Sequence, residues 1–473
     1  MLVSSLLSGA VERTGLPQVA IFLLLGAALG PAGLGLIELT LRSPSLQVIA
    51  TLGLVLVLFS DAIAVDVAEV RRNRRLALFL LGPGTVVPAL LIGAAALLLL
   101  RLPIPAALIL GASLASTDPV LLRGLVRRPE LPGIARLALR LESGMNDVVL
   151  LPIVVLGILA LQAGGDEPPH VGRHLLGLFV LGPALGALVG WVAITLLEQV
   201  RKRVGVRRDY ESLYALGVAF TAFAAAESVG GSGFLAAFTA GLVIAALDVE
   251  LCDCFLDYGE ASAEMFLLLT FVAFGASVIW IGVSAIDART LLFAAVALVT
   301  RTVVLLPALR RAGVEPASRR LIAWFGPRGL STLLLILLPV FAGVPDADRL
   351  FAVAALVVLL SVVLHGGAIA LFLGRSGRAP VAAGPAASES ASAVARPAAD
   401  SDEVVPERIT IPELRALTAR GERVVVVDAR TERSHREDQL RARGAVRLPP
   451  DDATRTARSL GLDHHATLVV YCA

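Results

Sequence analysis

The sequence predicts an all-α polytopic membrane protein of about twelve transmembrane helices, and three observations predict it. Of 473 residues, 56% are hydrophobic and only 17% charged, where a soluble domain carries about 25% charged residues. Apolar runs near the roughly 20 residues that cross a bilayer recur from about residue 17 to residue 373, and the mean hydropathy is +0.81. The runs are too long for strands and lack the alternation of an outer-membrane barrel. Three cysteines imply no disulfide framework. No cleavable signal peptide is expected, because "MLVSSLLSGAVERTG" lacks a basic start and runs into the first apolar stretch. No cofactor and no nucleic-acid partner is expected; the lipid bilayer is.

The twelve spans are, in order, 17–36, 46–63, 76–100, 103–122, 136–161, 172–198, 211–228, 232–248, 262–283, 289–308, 320–341 and 348–372. Arginines gather in alternate loops. Arg71, Arg72, Arg74 and Arg75 come after span two, and Arg123, Arg127 and Arg128 after span four. Arg201, Lys202, Arg203, Arg207 and Arg208 come after span six, and Arg310, Arg311, Arg319 and Arg320 flank the loop after span ten. Intervening loops such as "QAGGDEPPH" and "AGVPDAD" are acidic or nearly neutral. Basic loops face the cytoplasm, so both termini are expected there. "DVELCDCFLDYGE" dissents, but acidic residues weigh little in that rule. Arg is used almost to the exclusion of Lys, which fits a GC-rich bacterial source and hence a bacterial inner membrane.

Beyond the spans the composition changes. Residues 374–408 are Ala/Pro/Ser-rich and read as a disordered linker after a transmembrane domain at 1–373. Residues 409–473 read as part of a small α/β domain: "IPELRALTARG" as a short helix, "RVVVVDART" and "ATLVVYCA" as buried strands.

Charge inside the spans is the functional signal, since an ionisable group in the bilayer costs several kcal/mol unless it is paired or used. Thr117-Asp118-Pro119 interrupts span four; Pro119 removes a donor and disfavours helix at Asp118. The exposed Thr117 carbonyl and the Asp118 carboxylate make a hard-oxygen site suited to a small cation. On span five, Ser143 and Asp147 share a face four residues apart, with Asn146 beside them. Glu142 points in a neighbouring direction and is expected to pair with Arg301, the basic residue well inside a late span. Span eleven is interrupted by "WFGPRGLST", where Gly326, Pro327 and Gly329 surround Arg328. Arg328 either caps a half-helix C-terminus or faces the substrate. Two interrupted spans, one in each half, point to inverted repeats, here spans three to five and ten to twelve, around a midplane site. Glu227 reads as interfacial, His365 as a packing residue with a proton relay as the alternative, and Cys252 and Cys254 as no metal site.

The set of segments "TGLPQVAIFLLLGAALGP", "GLVLVLFSDA", "GASLASTDPV", "ESGMNDVV", "GGSGFLAAFTAGL", "GPRGLST" and "VVLHG" resembles the sodium/proton exchanger branch of the cation:proton antiporter superfamily over residues 14–373. The resemblance implies a homodimer whose two broken helices cross near an aspartate that binds cation and proton alternately. On that likeness Asp147 is the exchanging aspartate. Asp118, Ser143, Asn146 and Thr117 line the cation site, and Glu142–Arg301 is a structural ion pair. Arg328 is the arginine of the second broken helix. The transported ion would be Na+, with Li+ or K+ as alternatives, exchanged for H+. With Asn146 where electrogenic relatives carry a second aspartate, exchange is expected to be electroneutral. Two departures stand out: the chain begins where thirteen-span members have their second helix, and Pro327 replaces a more usual glycine or leucine.

The tail from "ITIPELRALTARGERVVVVDAR" through "GAVRLP" to "LVVYCA" resembles the rhodanese-like domain, with Cys472 at the persulfide position. Since the sequence ends one residue later, catalysis by this tail is not expected. The rival readings are a channel-like or solute:sodium carrier, and a membrane-anchored sulfurtransferase.

Overall fold

The computed structural model describes residues 18–126 except 32 and 66, then 131–162, 172, 176–203, 208–247, 268–369 except 277, and parts of 414–471. The chain divides into two units between Ser390 and Ala391, inside the segment read as a linker. Residues 374–408, read from the sequence as a linker, and Cys252, Cys254 and Cys472 lie outside the described residues.

Helices dominate the first unit because long apolar runs have no better way to satisfy their backbone polar groups in lipid. They are α1 (Gln18–Leu29), α2 (Pro44–Ile63), a short α3 (Val67–Arg72), α4 (Arg74–Leu81), α5 (Pro83–Leu99), α6 (Ile104–Ala115), α7 (Pro119–Val126) and α8 (Gly133–Gln162). A π-turn at Gly177–Leu181 leads into α9 (Gly182–Arg203), succeeded by α10 (Arg208–Ser228), α11 (Gly233–Ala246), α12 (268–276) and a short α13 (Ile281–Ser284). The last four are α14 (Ala288–Arg311), α15 (Pro316–Trp324), α16 (Leu330–Phe341) and α17 (Ala347–Ser361), the last extended by a π-turn at Val362–Gly366.

Among the described residues, six helical stretches are long and apolar enough to cross a membrane, and five shorter helices are apolar. Each of the twelve sequence spans falls on one of these or on the 268–284 segment. The differences are local. Span three is two helices hinged at Gly82, where the backbone leaves the helical region before Pro83. Spans four and eleven are each split in two: α6 and α7 around residues 116–118, and α15 and α16 around 325–329. The 12 residues of α6 reach only about 18 Å at 1.5 Å per residue, short of the roughly 30 Å hydrocarbon core that a full span crosses.

Two groups of helices make up this unit. In one, α2, α9, α10 and α11 pack together; in the other, α4 to α8 pack with α14 to α17. They meet where α2 touches α8 and α16. Small residues permit close approach in the first group: a Cβ built at Gly186 or Gly190 of α9 would press on the backbone of Ala236 or Ala240 in α11. Opposite faces carry exposed apolar side chains such as Leu188, Trp191 and Leu196 on α9, and Leu292, Val299 and Val303 on α14, as lipid contact requires. At its start α14 is capped by Asp287, which accepts the Thr290 N–H at 2.6 Å; that bond holds the Asp287 carboxyl below its usual range. Glu227, which is exposed, accepts the Gly233 N–H at 2.9 Å and ties the end of α10 to the start of α11.

The second unit contains three parallel strands, β1 (Val424–Asp428), β2 (Val446–Arg447) and β3 (Thr467–Tyr471), in the order β2-β1-β3. Parallel pairing requires crossovers between strands.

Candidate ion site at the crossing of two broken helices

Local chemistry sets the first break. Ser116 takes an extended conformation (φ −61°, ψ 140°) at the end of α6. Pro119 then opens α7, where its missing N–H costs nothing and its ring keeps Asp118 out of the helical region. In the second break, Pro327 supplies no donor, and Gly326 and Gly329 supply room. A Cβ at Gly326 would overlap the Arg301 guanidinium, and one at Gly329 would overlap the Asp118 carboxylate.

The two breaks cross and satisfy each other. Asp118 N–H donates to the Pro327 carbonyl at 2.9 Å. Leu330 N–H, at the start of α16, donates to Asp118 Oδ2 at 2.9 Å. Arg328 Nη1 donates to the carbonyls of Ala115 at 2.6 Å and Ser116 at 2.9 Å, at the end of α6. A carboxylate therefore faces a helix N-terminus and a guanidinium faces a helix C-terminus, the favourable sense for both helix dipoles. Nη1 makes the contacts of a C-terminal cap, while Arg328 Nη2 is buried with no hydrogen-bond partner among the described residues. Asp118 and Arg328 are each 1% exposed, so neither charge is held by water.

Asp147 lies beside this crossing on α8 and is 3% exposed. Its Oδ1 accepts from Ser116 Oγ at 2.5 Å, and Ser331, buried on α16, stands close to the same carboxylate. The Ser116 hydroxyl of one broken helix thus bonds this carboxylate, with Ser331 of the other and the Asp118 charge close by. Neither serine was a candidate from the sequence. The available signal was position: each lies within two residues of the nonhelical segment of its break.

The remaining candidates separate into two sets. Asn146 Nδ2 donates to Thr117 Oγ1 at 2.8 Å, and Asn146 Oδ1 is buried with no hydrogen-bond partner among the described residues. Those two stand at the crossing with Asp147. Ser143, buried on the same helix, donates instead to the Leu139 carbonyl one turn back, at 2.8 Å. Glu142 and Arg301 form a buried bidentate pair: Nε to Oε1 and Nη2 to Oε2, both at 2.6 Å. Arg301 Nη1 further donates to the Ala323 carbonyl at 2.8 Å. This joins α8 to α14 and to the end of α15. His365 is buried in the π-turn, with Nδ1 3.1 Å from Ser361 Oγ. A further carboxylate went unread in the sequence: Asp61 of α2 abuts Gly144, where an added Cβ would stand 3.7 Å from the Asp61 Cβ.

Chemically, the crossing offers two carboxylates, hydroxyl oxygens and an amide oxygen, the ligand set of a hard cation. Among the described residues no group of three or more His, Cys, Asp and Glu side chains could hold a metal ion.

A family model described as "Sodium/hydrogen exchanger, transmembrane" matches residues 2–375. The chain is 28% identical over 364 residues to the K(+)/H(+) antiporter NhaP of Alkalimonas amylolytica, covering 76% of this chain and 62% of that protein. It is 28% identical over 380 residues to the K(+)/H(+) antiporter NhaP2 of Shewanella sp. (strain ANA-3), covering 78% and 64%. The Na(+)/H(+) antiporter NhaG of Bacillus atrophaeus is 26% identical over 343 residues, covering 70% and 64%. The matched segment thus spans less than two thirds of the length of these relatives. In fold it resembles the sodium proton antiporter MjNhaP1 of Methanocaldococcus jannaschii at pH 8, with a TM-score of 0.61 and 20% identity, covering 77% of this chain and 96% of that one.

Proposed function

We propose a function from one premise: the chain belongs to the sodium/hydrogen exchanger family. It is a secondary antiporter that exchanges a monovalent cation for H+ by alternating access. The observation that carries this reading is Asp147, buried beside the crossing, hydrogen-bonded by Ser116 of one broken helix and close to Ser331 of the other.

A carboxylate buried in this way is discharged by a proton or by a cation, not by both, and a bare charge is penalised during passage through the membrane. Competition for one acid therefore gives exchange without leak. Asn146 and the Thr117 hydroxyl supply neutral oxygen ligands beside it. Asp118 tunes the field while it caps α16. Glu142 and Arg301 brace the helices that carry the site.

Na+ is the proposed cation. K+ is the second reading, supported by relatives named K(+)/H(+) antiporters. The exchange is electroneutral on this reading, since Asn146 adds no second titrating acid beside Asp147. The protein is a homodimer of the bacterial inner membrane with both termini in the cytoplasm, a placement supported by its alternating arginine loops. No catalytic activity is assigned to the rhodanese-like tail, and the relatives named above are antiporters by name.

The test is antiport in proteoliposomes monitored with a pH-sensitive dye, comparing Na+, Li+ and K+ across pH. Wild type should dissipate a preset pH gradient on addition of the transported cation, and Asp147→Asn should not. Full exchange by Asp147→Asn would refute the reading.

A further inference from the structure

Arg328 holds the end of α6 through its guanidinium, but the group that holds Arg328 lies on a third element. Its own N–H donates to Ser361 Oγ at 2.7 Å. Ser361, fully buried at the end of α17, stands 3.1 Å from His365 Nδ1. His365 is 4% exposed and sits in the π-turn Val362–Gly366, with its ring 6.1 Å from that of Trp324 at the end of α15. A π-turn adds one residue to the helix and rotates the next turn by about 100°.

Four hydrogen-bonded steps then lead from the last span to the exchanging acid. His365 meets the Ser361 hydroxyl, and Ser361 receives the Arg328 N–H. Arg328 Nη1 donates to the Ser116 carbonyl, and Ser116 Oγ donates to Asp147. Ser361 thus fixes the backbone of the second break from outside the two broken helices. A nonhelical backbone in the bilayer has no water to satisfy it, so a buried hydroxyl with its proton committed elsewhere is a suitable anchor.

We infer that Ser361 and His365 are positioning residues for the ion site: His365 Nδ1 accepts a hydrogen bond from the Ser361 hydroxyl and so aims the oxygen's lone pairs at the Arg328 N–H, so that the π-turn of the last span sets where Arg328, Ser116 and Asp147 stand. The pair does not touch the cation. The inference about transport rests on the antiport reading above; the inference about the break does not.

The experiment therefore has two arms on the full-length protein. Hydrogen–deuterium exchange of peptides covering residues 325–332 reads the Arg328 amide directly. Ser361→Ala and His365→Leu should speed exchange there by about tenfold, the loss expected for one buried hydrogen bond. Ser361→Thr, which keeps the hydroxyl, and His365→Asn, which keeps an acceptor near the Nδ1 position, should exchange like wild type. In proteoliposomes the first two variants should raise the half-saturating cation concentration about fivefold to tenfold, while the conservative pair restores it. Unchanged exchange at 325–332 in both Ser361→Ala and His365→Leu overturns the inference, as does His365→Asn behaving like His365→Leu. If wild type moves no protons, the antiport reading fails and the exchange arm still decides this one.

Discussion

Asp118 and Arg328 cap each other's half-helices: the Asp118 carboxylate receives the first N–H of α16 at 2.9 Å, and the Arg328 guanidinium donates to the last carbonyl of α6 at 2.6 Å. The two breaks are thus one device, each supplying the charge that the other's helix end lacks. Replacing Asp118 by Ala removes a cap worth about 1–2 kcal/mol, whereas Asp118→Asn keeps an oxygen acceptor. Thermal denaturation in detergent should show Asp118→Ala clearly destabilised and Asp118→Asn close to wild type. Equal loss in both would mean that charge, not the cap, is what matters.

Three glycines near the site differ in what surrounds them. Alanine at Gly329 would overlap the Asp118 carboxylate, and alanine at Gly326 the Arg301 guanidinium. At Gly144 an added methyl meets Asp61 only at ordinary contact distance, 3.7 Å. Yields of monodisperse protein by size-exclusion chromatography should fall sharply for Gly326→Ala and Gly329→Ala and stay near wild type for Gly144→Ala.

The Glu142–Arg301 pair should show the asymmetry of buried ions. Removing one partner leaves a buried charge and costs about 3–5 kcal/mol. Glu142→Leu and Arg301→Leu should each lower thermal stability strongly. The double variant should recover much of the loss, since no uncompensated ion remains. A double-variant loss equal to the sum of the single losses would contradict a direct pair.

On the proposed mechanism, competition of cation and proton for Asp147 fixes the sign of the pH dependence. Protons occupy Asp147 as pH falls, so the half-saturating cation concentration should rise by about tenfold per pH unit where protons saturate the site. It should level off at alkaline pH, where the acid is free of protons. Initial exchange rates at several pH values and cation concentrations test this. A maximal rate that fell while half-saturation stayed constant would exclude simple competition.

Electroneutral exchange predicts near-zero currents on solid-supported membranes during a Na+ jump, because one proton leaves for each cation bound. Asn146→Asp would place a second acid next to Asp147 and should give a measurable current if it folds. A large cation-dependent current in wild type would require a second titrating group, for which Asp118 is the nearest candidate.

Legibility in the sequence tracks how local each cause is. The two breaks were readable because proline and glycine act on their own backbone. Pro119 forbids helix at Asp118, and Pro327 removes a donor between Gly326 and Gly329. Asp147 and Glu142 were readable because a charge in an apolar run has a cost that any neighbourhood must meet. Arg301 was readable in turn, as the cation well inside a late span. Ser116 and Ser331 were not readable. A serine is tolerated almost anywhere in a helix, and these two matter only because the fold brings residues of two distant helices onto one carboxylate. Asp61 went unread for a similar reason, since its meaning depends on Gly144 leaving room beside it.

By itself, then, the amino-acid order determined a bundle of apolar helices, two of them broken, with acids sunk among them; these are consequences of side-chain transfer energies and backbone restrictions that operate within a few residues. Only tertiary packing decided that the breaks would cross, that Arg328 would cap α6, and that Ser143 would bond its own helix while Ser116 bonded Asp147. Those outcomes join residues up to 213 positions apart in the chain, and hydrogen-bond geometry at that separation is set by how helices pack, not by a residue's neighbours in sequence.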